Sequence, residues 1–204
     1  MRKGSRCRVI SAHPDRPYVM TSTGRQISED AGVPSLPDMA LGLSRVVRFG
    51  GQGRQFFSVA QHTLWLDDLA VREKANEEVR LALLLHDGHE ALVGDIPSPF
   101  KMLDQKKLAH KLDERIFDVF FARHGGYDHY SDKSAQWPVC DAVKMFDWRG
   151  LLTEYAVIGP AHKWYLEDPK QEDRRFLEEW ISRHARSTSE HYQQEWIKRV
   201  VALM

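Results

Sequence analysis

The sequence predicts an all-α fold that carries a small β-hairpin near its N-terminus. From Ser58 onward, apolar residues recur at the three- and four-residue intervals that place them on one face of a helix. Strand-like residues are confined to two short stretches, 18–21 and 25–27, which flank a Ser-Thr-Gly segment suited to a tight turn. These two patterns together favour a helical core to which a hairpin is attached.

The composition is that of one globular domain. The chain has 204 residues, of which 42% are hydrophobic and 28% are charged, so a full apolar core can form. We therefore predict a single domain spanning residues 1–204. Its expected parts are a hairpin at about 8–27, a helical core at about 38–156, and C-terminal helices within 171–203.

Charge and cysteine content exclude several classes of protein. Lys plus Arg equals Asp plus Glu, at 29 each, which argues against a protein that binds a nucleic-acid polymer or a membrane surface. No apolar run reaches the ~18 residues of a spanning helix, and the N-terminus lacks the apolar centre of a signal peptide. Cys7 and Cys140 have no C-x-x-C spacing and suggest free thiols in a reducing compartment. We expect a cytoplasmic protein.

The first helix of the core is predicted to be short and to lead into a glycine-rich loop. Asp38 can cap a helix that runs to Val47. The loop 48–54 then combines three glycines with Arg48 and Arg54. Exposed backbone amides and guanidinium groups would suit a phosphate, but an ordinary glycine-rich connection explains the same residues equally well.

The remaining elements follow from helical periodicity and from turn residues. Ser58 begins a helix that carries His62 beside its inward stripe, where a lone histidine is more often a core residue than a ligand. Residues 125–137 are expected to be irregular. The other predicted helices are 77–93, 101–124, 138–155, 171–186 and 189–203.

The stretch LALLLHDGHEALVGDIPSPFK, residues 81–101, organises the chain. It places His86 and Asp87 side by side after an apolar run, Glu90 one turn later, and Asp95 just beyond the glycine that ends the helix. Buried carboxylates must be paired or bind a metal, and imidazole with carboxylate suits a divalent metal ion. This stretch alone would also fit a helix surface with a salt bridge.

Two aspartates of the 138–155 helix compete as a further ligand. Asp141 falls in the first turn, where a carboxylate complements the helix dipole without any other purpose. Asp147 falls in the middle of the helix, where no such local explanation exists. The sequence therefore favours Asp147.

The order H…HD…D resembles that of the HD-domain metal-dependent phosphohydrolases. The chain looks most similar to their bacterial 5′-deoxynucleotidase branch and its bacteriophage relatives. The resemblance is carried by SVAQHTLWL, by the pattern HD-x-x-E-x-x-x-G-D-x-P-x-P-x-K, by VKMFDWRGLLTEY and by LSRVVRFGG. It covers residues 18–155 and implies an HD-domain helical fold.

The resemblance also implies a role for individual residues. Glu90 would position or deprotonate the attacking water, and Asp95 would orient water or protonate the leaving oxygen. The substrate contacts would be Arg48, which binds phosphate, together with Phe49 and Lys101. The implied metal ligands are His62, His86, Asp87 and Asp147.

Three departures from the family pattern concern the substrate rather than the metal. Phe49 stands where relatives often have Trp, and Gln61 replaces an acid commonly found before the first histidine. Gly88 and His89 fill the two positions between Asp87 and Glu90, where small residues are usual.

The expected activity is removal of phosphate from deoxynucleoside 5′-monophosphates by metal-activated water. The cofactor would be a divalent metal ion, one of Mn, Co, Zn, Fe or Mg, and the partner a small-molecule nucleotide. A homodimer or higher homo-oligomer is expected. The alternatives are a deoxynucleoside triphosphate triphosphohydrolase and a non-catalytic nucleotide-sensing module; the complete ligand set disfavours the second.

Overall fold

The computed structural model describes residues 17–97, 102–131, 139–160 and 167–204. Within these ranges the protein is largely α-helical and has one two-stranded antiparallel hairpin, which confirms the predicted fold class. No helix in the described ranges is long and apolar enough to cross a lipid bilayer. The helices are α1 Leu36–Arg45, α2 Val59–Arg72, α3 Glu77–Leu85, α4 Glu90–Val93, α5 Leu103–Phe120, α6 Gly126–Ser131, α7 Val139–Val157, α8 Gln171–His184 and α9 Ser189–Leu203.

The described part of the hairpin predicted at about 8–27 consists of two short strands. Strand β1, Val19–Met20, pairs with β2, Gln26–Ile27, and residues 1–16 lie outside the described residues. Gly24 has a φ of 80° in the connecting turn, a conformation that costs glycine little.

The N-terminus of α1 is capped by Ser35, not by Asp38 as predicted. The Ser35 hydroxyl accepts a hydrogen bond from the Asp38 amide, while the Asp38 carboxylate accepts one from the Ser35 amide. This reciprocal pair is a capping box, so Asp38 belongs to the first turn. The helix also ends at Arg45, two residues before the predicted Val47, because Val46 is extended.

The core is built around α2 and α3. These two helices pack against each other, and both also contact α7 and α9. Trp65 on α2, Trp180 on α8 and Trp196 on α9 are among the largest fully buried side chains. Burying such rings fixes how the helices cross, because side chains of this size leave few alternative packings. The packing brings α2, α3 and α7 together at one point.

The predicted helix 77–93 is wrong as a continuous element. Helix α3 ends at Leu85 and α4 begins at Glu90. The intervening turn has hydrogen bonds from the Gly88 amide to the Leu85 carbonyl, 2.8 Å, and from the Glu90 amide to the Asp87 carbonyl, 2.9 Å. A β-carbon on Gly88 would lie 2.9 Å from the Leu85 oxygen, so the turn requires a residue without one.

The segment 125–137, predicted to be irregular, contains α6. The ring of Tyr130 stacks on Phe117 of α5 with centroids 4.1 Å apart, and Tyr127 contacts the same ring edge-on. Two aromatic side chains three residues apart thus give this polar segment an apolar face that stabilises a helix. Residues 132–138 lie outside the described residues.

We predict that Asp38→Asn destabilises the fold by about 2 kcal/mol at neutral pH, the scale of hydrogen bonds to a charged group. Asp38 accepts hydrogen bonds from the Ser22 hydroxyl, 2.8 Å, and the Thr23 amide, 2.9 Å, so it fastens the hairpin to α1. Burial raises the pKa of the Asp38 carboxyl, but hydrogen bonds from Ser35, Thr23 and Ser22 outweigh it and hold the pKa well below its usual range.

The pKa of Asp38 in the folded protein lies below the unfolded value of about 3.9. Ionised Asp38 therefore contributes its full stabilisation above about pH 4, and this contribution is lost as the pH falls toward the folded-state pKa. Urea unfolding should therefore show a difference between wild type and variant at pH 7 that narrows at pH 3. Asp104→Asn, in the exposed first turn of α5, is the matched control. An equal loss in both variants at pH 7 would contradict the assignment.

Candidate metal centre

Two histidines and two aspartates from three helical segments converge at the meeting point of α2, α3 and α7. The Nε2 atom of His62 lies 3.3 Å from Oδ1 of Asp147 and 3.6 Å from Oδ2 of Asp87. The Nε2 atom of His86 lies 3.3 Å from Oδ2 of Asp87 and 3.7 Å from Oδ1 of Asp147. These are the four residues that the resemblance implied as metal ligands.

Local structure explains the position of each side chain. Ser58 caps α2 so that His62 lies in its second turn, fully buried. His86 and Asp87 fall in the turn that separates α3 from α4. Asp147 lies in the middle of α7, and its side chain is 44% exposed. The cluster is therefore enclosed by helices on the histidine side and reached by solvent on the Asp147 side.

The donor atoms fit a divalent metal ion. The ring atom Nδ1 of His62 is 2.6 Å from Oε1 of Glu154, and Nδ1 of His86 is 2.8 Å from the Leu83 carbonyl. Nδ1–H of each ring donates to these acceptors, which leaves Nε2 to serve as a ligand. Both Nε2 atoms are buried and have no hydrogen-bond partner among the described residues.

The spacing of the cluster agrees with this interpretation. Neighbouring ligands bound at 2.0–2.2 Å lie about 2.8–3.1 Å apart in an octahedral site and about 3.3–3.6 Å apart in a tetrahedral one. The four nitrogen–oxygen separations here are 3.3 to 3.7 Å, so small movements of the side chains would bring all four atoms to one ion. The ligand atoms of His62, His86 and Asp87 all lie within 4.8 Å of one another.

The electrostatics of the cluster favour positive charge at its centre. Burial disfavours the His86 imidazolium, but the carboxylates of Asp87 and Asp147 raise the pKa of His86 to about 10. Burial also opposes ionisation of Asp147, yet the neighbouring rings of His62 and His86, whose Nε2 atoms lie 3.3 and 3.7 Å from its Oδ1, hold its pKa well below the usual value. A bound cation would replace these protons, since metal ligands must be deprotonated.

Arg48 lies beside the cluster and is 9% exposed. Its Nε atom is 3.3 Å from Oε2 of Glu154, while Nη1 is 3.7 Å from Asp87 and 4.0 Å from Asp95. Burial lowers the pKa of the guanidinium, but the carboxylates of Glu154, Asp87 and Asp95 raise it, so the group stays charged. The structure therefore brings Arg48 to the candidate site.

The other residues singled out in the sequence are placed as follows. Glu90 is buried, 2% exposed, and contributes to the electrostatic environment of Arg48. Asp95 follows Gly94 and lies near Arg48. Lys101 lies outside the described residues.

Phe49 adopts a positive φ of 58° in the 3-10 turn Arg48–Gly51, a rare conformation for a bulky side chain. Its ring centroid is 5.8 Å from Cζ of Arg48 and 5.9 Å from the Tyr155 ring, which it meets edge-on. Non-glycine residues held in this region concentrate at functional sites. The glycine-rich loop thus presents Phe49 and Arg48 side by side.

Sequence reasoning missed Glu154, which is fully buried and contacts both His62 and Arg48. A signal was present, because Glu154 lies seven residues after Asp147. Seven residues make two helical turns, so both side chains project from one face of α7.

A cavity of about 340 Å³ lies next to the turn between α4 and Asp95, on the side of α5 and α6. Its lining includes His89, Gly94, Ala109, Tyr127 and Tyr130. Nδ1 of His89 pairs with Oδ1 of Asp113 at 3.0 Å, and burial raises the pKa of that carboxyl. The volume is at the lower end of the range for small-molecule pockets, about 300–1,000 Å³.

Comparison with known proteins gives partial matches. No protein-family model matches the chain. The uncharacterised protein YfdR of Escherichia coli is 41% identical over 85 residues, which is 41% of this chain and 45% of YfdR. An uncharacterised protein of Rhodobacter capsulatus is 37% identical over 94 residues, covering 44% of this chain and 47% of that protein. The chain thus spans about half the length of the curated relatives it matches.

One solved structure with a related shape is the cyanophage S-2L HD phosphohydrolase DatZ, bound to dA and one catalytic Zn²⁺ ion. Its TM-score is 0.48 at 16% identity, and the match covers 84% of this chain and 97% of DatZ. A likeness of this size establishes neither family nor activity for this chain.

We predict that Asp147→Asn weakens binding of Co²⁺ at least tenfold, because changes to groups that only support metal ligands already cost about 10–100-fold. Isothermal titration calorimetry without nucleotide measures this directly. Asp141→Asn on the same helix is the control, since Asp141 is 70% exposed and pairs only weakly with Lys144, at 3.9 Å. Unchanged affinity in Asp147→Asn would remove Asp147 from the ligand set.

Proposed function

We propose that this chain is a metal-dependent phosphohydrolase of the HD type that removes phosphate from deoxynucleoside 5′-monophosphates. The observation that carries the proposal is the convergence of two imidazole nitrogens and two carboxylate oxygens, 3.3 to 3.7 Å apart, beside a buried arginine. A metal site of this kind next to a cation is suited to reactions in which negative charge develops on phosphoryl oxygens.

The residues that would hold the metal are His62, His86, Asp87 and Asp147. When bound, a divalent ion supplies a Lewis acid that acidifies water and polarises a phosphoryl oxygen. Four protein ligands would leave room for both on a six-coordinate ion. The exposure of the Asp147 side provides the direction from which substrate would approach.

Arg48 would bind the phosphoryl group. Its fixed charge would stabilise the negative charge that the transition state spreads over the equatorial oxygens. Among the described residues, Arg48 is the cationic side chain in contact with the carboxylates of the cluster, whereas Arg54 donates to the Ala156 carbonyl at 2.7 Å. One positively charged side chain at the cluster supports a substrate with a single phosphate over a triphosphate. Lys101 remains a proposed second contact.

Glu90 would act as the general base that positions and deprotonates the attacking water. Its position supports this role, because Glu90 is buried three residues after Asp87 and within the electrostatic reach of Arg48. Asp95 would orient water or protonate the leaving oxygen. Phe49 would contact the sugar or base, and the cavity lined by Tyr127 and Tyr130 offers space for the nucleoside.

A release screen tests the proposed reaction. Deoxynucleoside monophosphates and triphosphates are incubated with Mn²⁺, Co²⁺, Zn²⁺ and Mg²⁺ in turn, and phosphate and triphosphate are measured separately. We expect phosphate from the monophosphates, and no release by Asp87→Ala. Triphosphate release would instead identify the triphosphohydrolase. Nucleotide binding without turnover would support the sensing module.

We predict that Glu90→Gln lowers kcat by ~10²–10⁴, the range for loss of a general acid or base. Because Glu90 is not among the four ligands, affinity for Co²⁺ and KM should change little. Glu77→Gln, at the exposed start of α3, is the matched control and should keep the wild-type kcat. A rise in KM at constant kcat would mean that Glu90 binds substrate and does not take part in the chemistry.

A further inference from the structure

Glu154 connects two parts of the site that the sequence places far apart. Its Oε1 atom is 2.6 Å from Nδ1 of His62, and its Oε2 atom is 3.3 Å from Nε of Arg48. The side chain is fully buried, so water cannot replace either contact. Each carboxylate oxygen therefore accepts one hydrogen bond. Oε1 accepts from His62, a candidate metal ligand, and Oε2 accepts from Arg48, the candidate phosphate-binding residue.

We infer that Glu154 is a positioning residue that fixes both the tautomer of His62 and the direction of Arg48, and thereby couples metal binding to phosphate binding. The phosphate half of this inference rests on the proposed function, whereas the metal half depends only on the cluster. No contact between Glu154 and the reacting atoms is required.

The two histidines are supported differently. Nδ1 of His86 meets a backbone carbonyl, that of Leu83, while Nδ1 of His62 meets the carboxylate of Glu154. A carboxylate partner increases the basicity of the ring and holds Nε2 toward the metal more strongly than a neutral acceptor. We therefore expect removal of this negative charge to weaken His62 as a ligand.

Glu154 also balances the charge of Arg48. Without it, the carboxylates left around the buried guanidinium among the described residues would include Asp87 and Asp95, at 3.7 and 4.0 Å, and Glu90. Its positive charge would then compete with a metal ion for the same carboxylate of Asp87. Neutralising Glu154 should thus weaken metal binding through Arg48 as well as through His62.

Glutamine cannot reproduce this arrangement, because its amide has one oxygen where glutamate has two. If the oxygen faces His62, the amide NH₂ meets the Nε–H of Arg48. If the oxygen faces Arg48, the NH₂ donates to Nδ1 of His62 and moves the ring proton to Nε2, where it blocks the metal. The first orientation sets two donors against each other, and the second places the ring proton on the atom that would bind the metal.

The test is a double-mutant cycle measured as Co²⁺ affinity without nucleotide. Glu154→Gln should weaken Co²⁺ binding about 10–100-fold, as expected for a group that supports a metal ligand. In the Arg48→Ala background the amide oxygen is free to serve His62, so the same substitution should cost at least fivefold less. Wild-type affinity in Glu154→Gln, or an equal loss in both backgrounds, would overturn the inference.

Asp173→Asn controls for the loss of a buried carboxylate. Asp173, on α8, is 1% exposed and pairs at 3.1 Å with Arg149, which lies on the same helix as Glu154. We expect this variant to lower the melting temperature while binding Co²⁺ like the wild type. If it weakens Co²⁺ binding as much as Glu154→Gln, the effect is one of stability and the inference is wrong.

Glu154→Asp is a second variant that tests the same role if Glu154→Gln does not fold. Aspartate retains the charge but is one methylene shorter, so it cannot reach both partners. We expect weaker Co²⁺ binding, and wild-type affinity with wild-type kcat/KM would contradict a positioning role. Because affinity is measured without turnover, a negative release screen would refute the proposed reaction and leave the metal half of the inference standing.

Discussion

The structure depends on the need to compensate buried charge. Ionisable side chains from α2, α7 and the turn after α3 meet at a place that the helices largely close off from water. Taking such groups out of water is favourable only when opposite charges and hydrogen bonds replace the lost hydration. His62, Arg48 and Glu154 satisfy part of that need among themselves. The buried Nε2 atoms that remain are what point to a metal ion.

Features that depend on local periodicity could be predicted from the sequence. The all-α fold with a hairpin followed from helical spacing and from two short strand-like stretches. The choice of Asp147 over Asp141 followed from its position within the helix and from the resemblance of VKMFDWRGLLTEY to the family pattern, and the structure places Asp147 at the cluster and Asp141 on the surface. Both predictions used the spacing and identity of residues within one element.

Features that depend on residues far away in the sequence could not be predicted from local patterns. The role of Glu154 depends on its hydrogen bonds with His62, 92 residues away in the sequence, and with Arg48, 106 residues away. The helix α6 forms because Tyr130 meets Phe117, a contact that composition does not reveal. The cap of α1 was misassigned because Ser35 and Asp38 are both good capping residues, and only geometry decides between them.

The break between α3 and α4 shows how such a distant requirement alters local structure. The sequence from 77 to 93 contains few residues that disfavour a helix, and uninterrupted helix was the natural prediction. The turn at Gly88 instead interrupts it and lets His86 and Asp87, adjacent in sequence, direct Nε2 and Oδ2 to within 3.3 Å of each other. Adjacent residues of a regular helix point about 100° apart and do not face each other. Departure from the regular helix thus accompanies the approach of these two neighbouring residues, and the turn depends on Gly88, where a β-carbon would lie 2.9 Å from the Leu85 oxygen.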